Sequence, residues 1–310
     1  MMEYPRVSFV ILNWNGVRDT RDCLASLKKI SYPNYEVIVV DNHSKGDDIA
    51  ILQREYGSYI RIIQNSENLG FAGGNNVGIG LVLRESRSEY IMLLNNDTTV
   101  KYDFLEHLVK RARVGGDLGV IGPEIRSYQD MGLVQSRGGI LSLYTGWRQV
   151  GGSLHPSRFK DQNKFTLKYY SGSALMIPTA VLKQVGAFDE QYFYYTEDVD
   201  LGYRIYLAGY KIVCVSEAII YHKEAMSVGG NVRNPLTAYY ETRNGIMFIR
   251  KHGNWFQRGV FIIGYLALLL INFILYYSQE KKVFTSRCRG VVWHFSHPVS
   301  GTPKLDHMKG

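Results

Sequence analysis

The sequence predicts an α/β protein: a mixed, mainly parallel β-sheet with helices on both faces, followed by a hydrophobic helical tail. Three observations support this prediction. Continuous apolar runs without alternation recur along residues 7–125, as is typical of strands buried on both faces. Segments with helical spacing of apolar residues separate these runs, which indicates parallel strands joined through helices. An uncharged apolar stretch over residues 260–277 indicates the tail.

The first five predicted strands are the buried apolar runs. They lie at residues 7–12, 35–40, 60–65, 90–94 and 118–125. After the first run, Cys23, Leu27 and Ile30 recur with helical spacing, and similar segments follow later runs. The segment GFAGGNNVGIGLVLRES, residues 70–86, is interpreted as a loop that turns into a helix, and its first part belongs to a glycine-rich loop over Asn68–Gly78.

The sequence is less regular after the fifth strand. Residues 125–170 have no clear period, and we interpret them as loops and short antiparallel strands near a binding cleft. Order returns with a predicted strand over 173–177 and a helix over 179–185. A loop, a further helix and a strand ending at His222 follow.

Three of the predicted strands end on polar side chains. Asn13 follows the first strand and Asp41 the second, and the fourth is followed directly by Asn95, Asn96 and Asp97. One such end is usually an ordinary turn, because Asn and Asp favour turns. Three of them favour a single cleft, since ligands of open α/β sheets bind beyond the carboxyl ends of the strands.

A second group of carboxylates lies in the stretch YYTEDVDLGYR. Glu197, Asp198 and Asp200 begin a predicted helix, where capping and the helix dipole would account for acidic residues. The aromatic residues before them, including Tyr194 and Tyr195, favour a sugar site, because aromatic rings stack on the apolar face of a pyranose. A carboxylate beside such a site can act as a general base.

His222 ends the last predicted strand. A lone histidine is more often structural than a ligand. Together with Asp97 in the same cleft, however, it would supply an imidazole and a carboxylate, which suit Mg²⁺ or Mn²⁺.

The glycine-rich segment NLGFAGGNNVG carries neither of two common phosphate-binding motifs. It lacks the Gly-Lys-Ser/Thr ending of a P-loop and the GxGxxG spacing of a dinucleotide fold. Its glycines would let the backbone approach a ligand, and its N–H groups could meet phosphate oxygens at the start of the helix. A flexible turn is the alternative interpretation.

Taken in order, these motifs resemble the family 2 inverting glycosyltransferases of the GT-A fold. The segments that carry the resemblance are VILNWNG, VVDNHS, NLGFAGGNNVG, LLNNDT, GAFDEQYFYYTEDVDLGYR and YH. Within that family, the chain is most similar to the branch called rhamnosyltransferase-like. The resemblance covers residues 7–250 and implies a Rossmann-like GT-A catalytic domain.

The resemblance implies a role for particular residues on the donor side. Asn13 and Asp41 would line the nucleotide pocket. The glycine-rich segment would border the diphosphate and the donor sugar through Asn68, Gly73 and Asn75.

The resemblance also implies the metal site and the base. Asn95-Asn96-Asp97 occupies the position of the family's D-X-D motif. Asn95 and Asn96 would therefore contact the donor, and Asp97 would bind Mg²⁺ or Mn²⁺ with His222 as a further ligand. Asn95 replaces the first Asp of that motif, which leaves the site with less negative charge.

Asp198 matches the family's catalytic base, which removes the proton of an acceptor hydroxyl. On the acceptor side we expect Tyr194, Tyr195 and Glu197. The acceptor would be a glycan or a lipid-linked sugar.

Two other functions fit part of the pattern. A nucleotidyltransferase has a similar sheet and a metal-bound diphosphate, but it would usually carry a basic glycine-rich loop near the N-terminus. A non-catalytic nucleotide-sugar-binding subunit of a membrane complex would be favoured by loss of Asp97 or Asp198, and both are present.

The charge of the chain is concentrated in its last part. From Arg250 onward there are nine Lys or Arg and two acidic residues, so this part carries +7 of the net +8. Because the same part holds the apolar stretch, we expect binding to an anionic membrane surface, and no nucleic-acid partner. We therefore expect a catalytic domain over 1–250 and a membrane-associating tail over 251–310.

Both flanks of the apolar stretch are basic, which does not favour a crossing orientation. We expect a monotopic or re-entrant segment at the cytoplasmic face of the cell membrane. The three widely spaced cysteines fit a reducing compartment. The alternative is a helix buried against the catalytic domain or in a homodimer interface.

Overall fold

The computed structural model describes residues 4–145, 148–150, 168–223 and 234–299. Eight α-helices are found in these ranges. They are α1 (Val17–Leu27), α2 (Asp48–Tyr56), α3 (Gly70–Glu85), α4 (Phe104–Arg113), α5 (Thr179–Val185), α6 (Glu197–Leu207), α7 (Pro235–His252) and α8 (Trp255–Ser296).

The same ranges contain eleven β-strands. They are β1 (Val7–Asn13), β2 (Tyr35–Asp41), β3 (Ile60–Gln64), β4 (Tyr90–Leu94), β5 (Thr98–Val100), β6 (Leu118–Ser127), β7 (Val134–Ser136), β8 (Gly139–Leu141), β9 (Arg148–Val150), β10 (Ala174–Pro178) and β11 (Lys211–His222).

Nine of the strands form one mixed sheet in the order β3-β2-β1-β4-β10-β6-β11-β5, with β7 paired to β6. The strands from β3 to β4 are mutually parallel, as are β6 and β11. β10 is antiparallel to both of its neighbours, and β5 is antiparallel to β11. The predicted mixed, mainly parallel sheet is confirmed, and the antiparallel pairs β6–β7 and β8–β9 match the interpretation of residues 125–170.

The core lies between this sheet and the helices packed on it. The centres of β1, β2, β4 and β10 are almost entirely inaccessible to solvent, with Phe9, Ile38, Met92 and Met176 at 0% exposure. Burial on both faces explains why these strands read as continuous apolar runs.

The glycine-rich segment differs from its prediction. It is helical from Gly70 onward and forms the first half of α3, although each glycine disfavours a helix by about 1 kcal/mol relative to alanine. Packing explains the difference: a Cβ atom on Gly74 would lie 2.5 Å from Leu12, and one on Gly78 would lie 2.5 Å from Val10. The glycines therefore allow α3 to lie directly on β1.

The C-terminal helix α8 turns back on itself at Glu280, where φ is −129° and ψ is 36°. The rings of Phe273 and Phe284 are 5.3 Å apart, whereas eleven residues of straight helix would span about 16 Å. Both arms contact α7, the first through Tyr265 and the second through His294. Within the described residues, no helix is both long enough and apolar enough to cross a membrane.

Candidate active site

The first two strand ends are joined by a buried hydrogen bond. Asn13 lies opposite Asp41 in the β1–β2 register, and its Nδ2 donates to Oδ1 of Asp41 over 2.8 Å. Nδ2 of Asn13 also lies 3.1 Å from Ser44 and 3.0 Å from Asp48. Asn13 and Asp41 are both 0% exposed, so in this structure they bind the loop after β2 from the interior of the protein. Their contact with a nucleotide stays a prediction.

Asn42 is a further residue of this strand end that the sequence reasoning missed. Its Nδ2 donates to Oδ1 of Asn68 over 2.9 Å, and its Oδ1 accepts from Nδ2 of Asn65 over 3.0 Å and from the N–H of Leu69 over 3.0 Å. Asn42 therefore ties the end of β2 to the predicted donor-side residue Asn68. Its position directly after Asp41 in the DN dipeptide was the available signal.

N–H groups at the start of α3 are hydrogen-bonded to another segment of the chain. The N–H groups of Phe71 and Ala72 lie 2.7 Å and 3.3 Å from the carbonyl oxygen of Phe193. The sequence suggested that N–H groups at the start of this helix could bind phosphate oxygens. This is wrong for Phe71 and Ala72, because their N–H groups are hydrogen-bonded to the loop before α6. Asn75 is buried and donates to the carbonyl of Phe71, and Gly73 lies one turn into the helix. The donor contacts of Gly73 and Asn75 stay predictions.

The end of β4 leads to a buried pair of side chains. Asp97 precedes β5, and the β5–β11 register sets Thr98 opposite His222. Nε2 of His222 consequently lies 3.1 Å from Oδ1 of Asp97, and both side chains are largely buried. Asn95 and Asn96 are half-buried beside this pair, and Nδ2 of Asn96 donates to Thr20 over 3.0 Å.

The Asp97–His222 pair fits a divalent cation. Oδ1 of Asp97 is buried and, among the described residues, accepts no well-aligned hydrogen bond, although His222 is in contact with it. An imidazole nitrogen and a carboxylate oxygen that meet in this way can both direct lone pairs at one cation. No group of three or more His, Cys, Asp or Glu suitable for a metal occurs in the described part of the chain. Diphosphate oxygens and water would complete the coordination, as is usual for Mg²⁺.

The loop that precedes α6 has an unusual backbone. We call residues 192–198, which are this loop together with the first two residues of α6, the acid loop. Phe193, Tyr195 and Thr196 have φ of 62°, 70° and 78°. Each such residue costs about 1–3 kcal/mol, and this kind of strain clusters at functional sites.

Asp198 is held at the end of the acid loop by two backbone groups. The N–H of Gly172 donates to Oδ2 over 2.9 Å and the N–H of Val199 to Oδ1 over 2.8 Å. The residue after Gly172, Ser173, accepts the N–H of Asn95 over 2.9 Å. This chain of contacts connects Asp198 to the polar end of β4, and the carboxylate stays half-buried.

Asp200 has a structural role. It is 1% exposed and accepts from Nε of Arg204 over 2.7 Å and from the hydroxyl of Tyr192 over 3.1 Å, and Nε2 of His252 lies 2.7 Å from it. Burial alone would raise the pKa of Asp200, but the hydrogen bond with His252 and the positive charge of Arg204 outweigh it and lower the pKa to about 2. A carboxylate enclosed in this way has no access to a substrate.

The predicted acceptor-side residues Tyr194, Tyr195 and Glu197 all lie in the acid loop. The rings of Tyr194 and Tyr195 are 4.1 Å apart, and Glu197 is buried. Burial raises the pKa of the Tyr194 hydroxyl, and the Tyr195 hydroxyl adds to the rise. The charges of Glu197 and Asp97 act in the same direction, so Tyr194 lies within electrostatic reach of both. Hydrogen bonds through residues 172–173 connect Asp198 in the acid loop to the end of β4, which leads to Asp97.

Helix α7 supplies polar side chains to this region that the sequence reasoning missed. Asn244 and Arg243 bind carbonyls of residues 191–195, Lys251 pairs with Asp189, and His252 pairs with Asp200. The sequence offers only a weak signal, an Arg-Asn pair inside a helix that buries both.

Comparison with known proteins agrees with this geometry. A family model described as glycosyltransferase like family 2 matches residues 5–240. The chain belongs to glycosyltransferase family 2. The glycosyltransferase is 28% identical over 293 residues to the N-acetylglucosaminyl-diphospho-decaprenol L-rhamnosyltransferase of Mycobacterium tuberculosis, which covers 84% of this chain and 91% of the relative. It is 26% identical over 200 residues to the low-salt glycan biosynthesis hexosyltransferase Agl10 of Haloferax volcanii, covering 64% and 61%.

Solved structures with a similar fold are glycosyltransferases as well. GalNAc-T7 with UDP, GalNAc and Mn²⁺ superimposes with a TM-score of 0.65 at 13% identity, covering 94% of this chain and 55% of that one. The mannosyltransferase PcManGT from Pyrobaculum calidifontis, in complex with GDP-Man and Mn²⁺, gives 0.57 at 13% identity, covering 96% and 77%. At this identity the likeness shows the fold, and the predicted GT-A architecture is confirmed.

Proposed function

We propose that this glycosyltransferase is an inverting, metal-assisted enzyme that moves a sugar from a nucleoside-diphosphate sugar to a hydroxyl of a glycan or lipid-linked acceptor. One observation carries the proposal: hydrogen bonds through residues 172–173 connect Asp198 to the end of β4, which leads to the buried Asp97–His222 pair. A general base and a site for a diphosphate-binding cation are thereby available in one place.

The chemistry is a single displacement. Asp198 accepts the proton of the acceptor hydroxyl while the oxygen attacks the anomeric carbon, and the bond from that carbon to the diphosphate oxygen breaks. The electron pair leaves with the nucleoside diphosphate. Attack opposite to the leaving group inverts the configuration and needs no enzyme nucleophile.

Asp97 and His222 would hold Mg²⁺ or Mn²⁺. When bound, the cation stabilises the negative charge that develops on the diphosphate. Asn95 and Asn96 beside the pair add no charge, so the described donor set relies on the diphosphate to complete the site.

The lipid-linked acceptor is supported by the relative that acts, by its name, on N-acetylglucosaminyl-diphospho-decaprenol. Because the two chains align over most of their lengths, we propose a polyprenyl-diphosphate-linked sugar as the acceptor and L-rhamnose as the first donor sugar to test.

The tail supports the same acceptor class. The first arm of α8 exposes a wide apolar face, including Ile263 at 72%, Leu270 at 60% and Ile274 at 70%. Exposed basic residues lie at both ends of this face: Arg258 at one, Lys281 and Lys282 at the other. We propose that the face lies in the plane of an anionic membrane at the cytoplasmic side, with the basic side chains on lipid headgroups.

A donor screen tests the function. Nucleoside-diphosphate sugars are ranked by thermal shift with Mn²⁺, because the correct ligand stabilises by mass action. The donor that binds is then incubated with a prenyl-diphosphate-linked N-acetylglucosamine, and the anomeric configuration of the product is read by NMR. A retained configuration refutes inversion.

The same screen separates the alternatives. A nucleotidyltransferase would release pyrophosphate from a nucleoside triphosphate and a sugar 1-phosphate. A non-catalytic binder would be stabilised by the donor without turning it over.

A further inference from the structure

Helix α7 holds the acid loop through two consecutive side chains, Arg243 and Asn244. Asn244 is 0% exposed, and its Nδ2 lies 2.9 Å, 2.8 Å and 2.6 Å from the carbonyl oxygens of Tyr192, Tyr194 and Tyr195. An amide nitrogen carries two N–H bonds, so three carbonyls share two donors. One side chain thus constrains three peptide groups of the loop.

Arg243 sets the orientation of the Asn244 amide. Its Nε donates to Oδ1 of Asn244 over 2.8 Å, so the amide oxygen faces Arg243 and the NH₂ group faces the loop. Nη2 of Arg243 also donates to the carbonyls of Gln191 and Tyr192. On its other side the guanidinium lies 4.9 Å from the centre of the Trp293 ring, which fixes it from α8.

The loop depends on this support because of its backbone. Three residues with side chains, Phe193, Tyr195 and Thr196, have left-handed φ values. Such a conformation persists only where the surroundings over-determine it. Thr196 directly precedes α6, so the backbone conformation of the loop determines the position of Asp198 in the first turn of that helix.

We propose that Arg243 and Asn244 are positioning residues for sugar transfer: they set the conformation of the acid loop and so direct Asp198 at the acceptor hydroxyl. The proposal rests on the proposed function, in which Asp198 is the base. Both residues act through the backbone of the loop.

The test is Asn244→Ala, which removes the shared donors. We expect unchanged affinity for the nucleoside diphosphate that binds the wild type, taken from UDP, dTDP and GDP with Mn²⁺. The kcat of transfer should fall by about 10²-fold, because a displacement of about 1 Å has that effect. Hydrogen exchange at Phe71, whose N–H is bonded to the carbonyl of Phe193, should become faster.

Thr242→Val is the matched control. Thr242 is 2% exposed, and its hydroxyl is hydrogen-bonded to that of Tyr265 over 2.6 Å, on the side of α8. The variant removes one buried hydrogen bond of α7 that does not involve the loop. It should keep the wild-type kcat and the wild-type exchange at Phe71.

Arg243→Lys serves if Asn244→Ala does not fold. It keeps the positive charge and removes the Nε donor. The affinity for the nucleoside diphosphate should again be unchanged, and kcat should fall, but by less than in Asn244→Ala. The proposal is overturned if kcat stays at the wild-type level in the folded variant, or if Thr242→Val lowers kcat equally. If the wild type binds no nucleoside diphosphate and transfers no sugar, the proposed function fails first and this proposal fails with it.

Discussion

Nε2 of His252, the last residue of α7, lies 2.7 Å from Oδ1 of Asp200 in the first turn of α6. The hydroxyl of Tyr192 and the guanidinium of Arg204 bind the same carboxylate. The two residues are 52 positions apart along the chain, and the pair joins α6 to α7 and leaves Asp200 enclosed.

This enclosure predicts a pH-dependent contribution to stability. The pKa of Asp200 is lowered from its usual 3.8 to about 2, so the folded state favours the ionised form. The contribution is present above about pH 4 and is lost as the pH falls through about 2. Its size is about 2 kcal/mol of unfolding free energy at neutral pH. Asp200→Asn should therefore be less stable than the wild type at pH 7, and the difference should shrink towards pH 2.

Denaturant unfolding at several pH values measures this difference. Asp103→Asn is the matched control, because Asp103 forms a similar pair with His107 on the surface, where such pairs contribute little. A difference between wild type and Asp200→Asn that does not change with pH would contradict the prediction.

The base assignment predicts a loss of transfer without a loss of donor binding. Asp198→Asn keeps the shape of the side chain and one of its two backbone hydrogen bonds, because its single amide oxygen can accept the N–H of Gly172 or that of Val199. It cannot take a proton, and transfer should fall by roughly 10²–10⁴-fold. Thermal shift with the nucleoside diphosphate and a transfer assay measure the two properties. Near-normal transfer would move the role to Glu197, since Asp200 is enclosed.

The metal assignment predicts that chelation abolishes transfer. EDTA should remove activity and added Mn²⁺ should restore it. Asp97→Ala and His222→Ala should each weaken Mn²⁺-dependent binding of the nucleoside diphosphate, measured by calorimetry. His107→Ala, which replaces a histidine of α4 outside the candidate site, is the control and should behave as the wild type. Full activity in EDTA would refute a role for a divalent cation.

The tail predicts binding to anionic vesicles through its apolar face. A triple variant with Ile263→Ser, Leu270→Ser and Ile274→Ser removes three exposed apolar side chains from α8. Because burial of each contributes about 1.5–3 kcal/mol, binding to phosphatidylserine vesicles should weaken by at least about 10²-fold.

Sedimentation with vesicles measures this effect. The control is Val114→Ser, Leu133→Ser and Leu207→Ser, three exposed apolar residues of the catalytic domain, which should leave binding unchanged. If the wild type ignores the vesicles and is dimeric by light scattering, the face is a homodimer interface and the membrane proposal is wrong.

The sequence by itself determined the strands of the sheet and the polar residues at their ends. Val7–Asn13, Tyr35–Asp41 and Tyr90–Leu94 are strands as predicted, because a strand buried on both faces must be apolar throughout and the chain must leave the sheet on polar residues. The ordered motifs also identified the glycosyltransferase family. These features are local, so a single sequence displays them.

Only the tertiary structure decided which polar groups face one another. The β5–β11 register brings His222 to Asp97, although β5 is three residues long and has no period of its own. The helical start of α3 depends on contact with β1, and the capping of that start depends on Phe193. Asp198 and Asp200 look alike in the sequence, yet long-range contacts from Arg204 and His252 enclose Asp200 while Asp198 stays half-buried. Such choices arise from packing between distant segments, which leaves no periodicity along the chain.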